Sequence, residues 1–147
     1  MPTAAKLISA VAFALVGWLA AVVYIPQLPE GTNAVFLPPA MAGLGFVIAW
    51  LSMGPNAGNG YVTSMSLGLR TSALLVFWGL LCFAVRVMVR DSFKVGHYDN
   101  LGEAVLDVPM QMLTYGRPAV HMSVIMVLVV GGIVGGIATE FAGRRWR

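Results

Sequence analysis

The chain has 147 residues, 59% of them hydrophobic and only 10% charged, against roughly 25% charged in soluble domains, so a water-soluble globular domain is excluded. The net charge of +3 reads as a topology signal, because no basic run interleaved with aromatics supports a nucleic-acid partner. A single cysteine, Cys82, excludes an intrachain disulfide, and inside an apolar segment it is expected to behave as a small buried hydrophobe.

Four apolar segments, near residues 7–25, 36–51, 63–89 and 120–141, account for most of the chain. A hydrocarbon core of ~30 Å takes about 20 residues of helix, and lipid leaves backbone polar groups no other partner. The sequence therefore predicts one domain over residues 1–147: an all-α membrane protein of four transmembrane helices.

The first segment follows Thr3, a candidate N-cap, and is too long for the ~7–15-residue apolar core of a signal peptide, so a retained helix is expected. Trp18 and Tyr24 are placed for headgroup level. The run Pro26-Gln27-Leu28-Pro29-Glu30-Gly31 ends that helix. A second begins near Pro38-Pro39, whose missing N–H groups suit a first turn. At about 16 residues it reaches ~24 Å, short for a crossing, and Ala42, Gly43 and Gly45 give it a small-residue face.

The loop that follows, Gly54-Pro55-Asn56-Ala57-Gly58-Asn59-Gly60-Tyr61, is either a tight turn or, through successive N–H groups of Gly54, Gly58 and Gly60, an anion-binding nest. The Lys-Ser/Thr pair of a P-loop is missing. Arg70, early in the third helix, either snorkels to the interface or faces the bundle interior. The fourth apolar segment holds two overlapping GxxxG patterns, Gly131/Gly135 and Gly132/Gly136, which permit close helix packing within the chain or between subunits.

Between the third and fourth apolar segments lies the most specific pattern. Arg86, Arg90 and Lys94 recur every four residues, and Asp99, Glu103 and Asp107 repeat that spacing with opposite sign. Folding back near Gly96 pairs Lys94 with Asp99, Arg90 with Glu103 and Arg86 with Asp107, a charge ladder pinning a helical hairpin. The acidic limb is amphipathic through Leu101, Val105, Val108, Met112 and Tyr115, although Gly102 and Pro109 weaken it. Two separate solvated stripes are the plainer alternative.

Cofactors and metals are not expected. His97 and His121 have no second ligand at metal spacing, and Met110, Met112, Met122 and Met126 are ordinary packing material as readily as a soft-metal set. No nucleophile is accompanied by a base and an orienting group, so the chain is not expected to be an enzyme. An even number of spans puts both termini on one side, and Lys6, Arg70, Arg144, Arg145 and Arg147 place that side in the cytoplasm.

The opening Met1-Pro2-Thr3-Ala4-Ala5-Lys6-Leu7, the Leu28-Pro29-Glu30-Gly31 run, the glycine loop at 54–61, Tyr98-Asp99 with Glu103-Ala104, and Arg144-Arg145-Trp146 together resemble the TrgA family of alphaproteobacterial membrane proteins. The resemblance implies a small multi-pass inner-membrane protein linked to tellurite resistance. It supplies no reaction, and Asn56 and Asn59 stand where a basic residue is expected in many relatives. Two functions follow as expectations: an accessory subunit docking through its glycine face on a larger photosynthetic or respiratory membrane complex, or an oligomeric transporter or exclusion factor for tellurite-type oxyanions. The lipid bilayer is a partner in either case.

Overall fold

The computed structural model describes residues 4–53, 59–93 and 101–145. They form five α-helices: α1 Ala4–Tyr24, extended by a 3-10 turn Ile25–Gln27, then α2 Leu37–Ser52, α3 Tyr61–Ser92, α4 Leu101–Ala119 and α5 Met122–Arg145. Three of them, α1 with its 3-10 turn, α3 and α5, are long and apolar enough to cross a membrane. The apolar α2 has 16 residues, about 24 Å at 1.5 Å each, and falls short of that length.

Glycine decides how the helices approach. A Cβ on Gly17 would collide with the Met41 carbonyl, and one on Gly45 with the Phe13 carbonyl. These reciprocal contacts run α1 and α2 antiparallel with their backbones touching. On the other side of the molecule a Cβ on Gly68 would strike the Gly132 carbonyl, and one on Gly136 the Ser64 carbonyl. Gly131 and Gly135 turn instead to α1, where a Cβ would come within 2.8 Å of Val16 and Phe13 side-chain atoms. The two GxxxG rows of α5 thus serve different neighbours inside the chain: Gly132/Gly136 fits α3 and Gly131/Gly135 fits α1. Directions alternate along α1, α2, α3 and α5, so the start of α1 and the end of α5 share one end of the bundle.

Within the bundle, cross-helix hydrogen bonds supplement the apolar packing. Ser72 donates to the Leu128 carbonyl at 3.0 Å, and the hydroxyls of Ser52 and Thr71 lie 2.9 Å apart. Among the described residues no buried side-chain N or O lacks a partner, as an environment without water demands.

Only 24 residues long, α5 does not follow the whole of the 32-residue α3. The last turns of α3 pack against α4, where Phe83 meets Tyr115 edge-on at 4.8 Å between ring centres and Gly116 approaches Leu80. The end of α3 and the helix that follows it in sequence thus pack side by side. The α4 helix continues through Pro109 and Pro118. Of its expected apolar face, Val108, Met112 and Tyr115 are half-buried. Val105 is exposed, as are Leu106, Met110 and Leu113.

Tyr24, the last residue of α1, is buried and donates its hydroxyl to the Tyr115 carbonyl of α4. One sequence-based placement changes. Cys82 is exposed, since the inward positions of this part of α3 go to Gly79, Phe83 and Ala84.

Candidate functional site

Charged groups gather at both ends of the bundle, in opposite manners. At the end holding the start of α1, Glu140 of α5 has no exposed surface. Its Oε1 accepts the Gly60 N–H at 3.0 Å and the Arg144 Nε at 2.8 Å, while Oε2 accepts the Ser64 hydroxyl at 2.8 Å. Gly60 is the N-cap of α3 at φ +112°, in the region that favours glycine. A carboxylate from α5 therefore sits at the start of α3, bonded to the N–H of its N-cap residue, where the helix dipole favours negative charge. Arg144, one helical turn beyond Glu140, lays its guanidinium over the Tyr61 ring at 4.7 Å. The sequence signal for this knot was a lone carboxylate in an apolar helix with an arginine four residues on.

The far end carries a polar cleft of about 240 Å³ between the 30–33 segment and the last turns of α3, with Tyr115 of α4 on its wall. Arg86 and Arg90 line it, as do Glu30 and Asp91. The Arg86 guanidinium lies 3.7 Å from the centre of the Phe36 ring. Phe36 in turn stacks on Phe83 at 6.0 Å. Among the described residues neither arginine has an ion-pair partner. Phe83 also walls a separate apolar cavity on the bundle side, shared with Tyr24, Leu37 and Leu128. The ring thus marks the level at which the bundle passes from apolar to polar.

Of the proposed ladder, Arg86 is at the Phe36 ring and Arg90 lines the cleft. Asp107 accepts a hydrogen bond from Gln111 at 3.0 Å, and Glu103 in the first turn of α4 is engaged in an interaction of its own. Lys94 and Asp99 lie outside the described residues, as do Gly54, Gly58 and His97. Gly60 alone of the loop glycines is described, and its N–H is turned to Glu140.

Arg70 lies nine residues into α3, about 13 Å along the helix, and is exposed on its outer face. No side chain bonds to it among the described residues. The bundle-interior placement weighed for it does not occur. His121 opens α5 through its carbonyl, which accepts the Val124 and Ile125 N–H groups at 2.9 and 3.1 Å. Among the described residues no three His, Cys, Asp or Glu side chains are grouped to hold a metal. Gly131 and Gly135 also edge an apolar groove of about 510 Å³ between α1 and α5, walled by Leu15, Leu19 and Val134.

No family model, no curated protein and no solved structure matches the chain.

Proposed function

We propose that the chain is a small integral membrane protein that crosses the bilayer four times and serves as an accessory subunit of a larger membrane complex. The observation that carries the docking reading is Arg70. It is an exposed guanidinium on a helix long enough to span, without a partner among the described residues. An arginine in a spanning helix costs ~2.5–3.5 kcal/mol near the bilayer centre by insertion scales, and a carboxylate on a neighbouring subunit's helix removes that cost. Gly132 and Gly136 are occupied by α3, so the docking face is the outer side of α3 with Arg70.

The fourth crossing is assigned to α2, because its glycine contacts run beside α1 through Gly17/Met41 and Gly45/Phe13. It is a short span packed in the bundle, accommodated by local thinning. With four crossings and alternating directions the termini share a side, and Lys6, Arg144 and Arg145 make it cytoplasmic. The resemblance to TrgA proteins adds a bacterial inner membrane and a link to tellurite resistance.

Mild-detergent extraction of the tagged chain, followed by mass spectrometry, tests the docking reading. The expected result is a stoichiometric membrane complex that Arg70→Leu dissociates and Arg70→Lys retains. Recovery of the chain alone, or only as a homo-oligomer, refutes it. Reporter fusions at both termini test the crossings: signals on opposite sides mean three.

A further inference from the structure

We propose that the polar cleft at the far end of the bundle binds the headgroup of a zwitterionic phospholipid of the phosphoethanolamine type, its phosphate on Arg86 and Arg90 and its ammonium on Glu30. Three observations lead there. First, the cleft brings two guanidinium groups one helical turn apart, and neither is ion-paired among the described residues. The Arg86 guanidinium carbon lies 3.7 Å from the centre of the Phe36 ring, a contact that positions at the cleft wall the group that recognises phosphate through paired N–H donors. Second, the same cleft carries Glu30, exposed and without a hydrogen bond among the described residues, together with Asp91, which has a partner of its own. A site for a purely anionic ligand gains nothing from a free carboxylate on its wall, whereas a ligand bearing both charges uses both. Third, Phe83 walls both this cleft and the apolar cavity behind it, so the cleft opens where hydrocarbon gives way to headgroups. At about 240 Å³ it exceeds many times the ~10–15 Å³ that one water takes.

Ammonium rather than trimethylammonium is favoured because Glu30, Thr32 and Asn33 offer oxygen acceptors at the cleft, which hydrogen-bond N–H and not N–CH₃. Glu30 sets the preference by pairing with the ammonium, a cationic donor that the neutral glycerol of phosphatidylglycerol does not supply. The neighbouring Thr32 is held by its hydroxyl bond to the Pro29 carbonyl at 2.9 Å.

The inference rests on the membrane placement proposed above and is independent of the docking reading. The test is native mass spectrometry of the full chain released from vesicles of equimolar phosphatidylethanolamine, phosphatidylglycerol and phosphatidylcholine. The expected result is retention of phosphatidylethanolamine about tenfold over the other two, with one lipid per chain. Arg86→Gln with Arg90→Gln should lower that retention at least about tenfold, the scale of a lost charge-assisted contact. Glu30→Gln should keep a bound lipid but bring the ethanolamine-to-glycerol ratio close to one. Equal retention of all three lipids by the unaltered chain, or full retention by the double arginine variant, overturns the site. Displacement of the lipid by millimolar inorganic phosphate overturns it in favour of a free-oxyanion site. A chain that enters no vesicle overturns the membrane placement and the site together, while insertion without preference overturns the site alone.

Discussion

The two ends of this bundle use charge in opposite ways. At the end where α1 begins and α5 finishes, the Glu140 carboxylate is fully enclosed and bonded to Gly60, Ser64 and Arg144. At the other end Arg86 and Arg90 face an open cleft with no ion-pair partner among the described residues. A buried carboxylate with its acceptor sites filled is a fastening, since removing one member exposes the others to the full desolvation penalty. Exposed guanidinium groups held by an aromatic face contribute little to stability and remain available to a ligand. The lesson is that one class of residue marks structure at one end and recognition at the other, and enclosure decides which.

The comparison breaks most directly at Glu140. Replacement by Ala strands the buried Ser64 hydroxyl and takes the acceptor from the half-buried Gly60 N–H, at ~1–3 kcal/mol for a fully orphaned group. The expected loss is roughly 3 kcal/mol, read as the unfolding midpoint in mixed detergent micelles. Glu140→Gln keeps acceptor and shape and should lose about half as much. Equal, negligible losses for both variants would show that the knot is not a fastening.

A second, smaller effect is expected at the α3–α5 seam that leads away from the knot. Gly68→Ala sets a methyl against the Gly132 carbonyl, and overpacking of this kind costs typically ~1–3 kcal/mol. The control is Gly43→Ala, where a Cβ meets nothing within 4 Å and the better helix propensity of alanine should leave the protein unchanged or slightly firmer. Similar losses in the two variants would mean that the helices part more easily than their backbone contact implies.

Much of this architecture was legible in the sequence. Hydropathy alone placed the apolar segments, because a span must be long, apolar and helical. The Pro-Gly run after Tyr24 and the prolines at 38 and 39 marked where α1 stops and α2 is under way. The GxxxG rows announced close packing, but their partners were not readable, since Ser64, Gly68, Phe13 and Val16 lie far away in sequence. Glu140 was missed for the same reason. The lone carboxylate with an arginine one turn on is a local signal, but nothing local names its partners, and only the return of α5 beside α3 brings it to Gly60. The cleft was half visible: the spacing of Arg86 and Arg90 predicted one stripe, but a stripe carries no information about Phe36 or Glu30, which arrive from the turn between α1 and α2.

The smallest stability effect, and the sharpest test of the contrast, belongs to the arginines of the cleft. Arg86→Gln and Arg90→Gln should each shift the unfolding midpoint by the equivalent of no more than ~0.5 kcal/mol, the usual range for surface substitutions. Arg86 should show the larger shift, because its stem and guanidinium cover the Phe36 ring and a glutamine covers less of it. Arg86→Lys is the informative companion. It keeps the charge but loses the planar group that stacks, so a loss equal to that of Arg86→Gln assigns the effect to stacking, and a smaller loss assigns it to charge. A drop at Arg86 or Arg90 as large as that of Glu140→Ala would erase the distinction between the two ends, because it would make the cleft part of the fastening and leave no free charge there for a ligand.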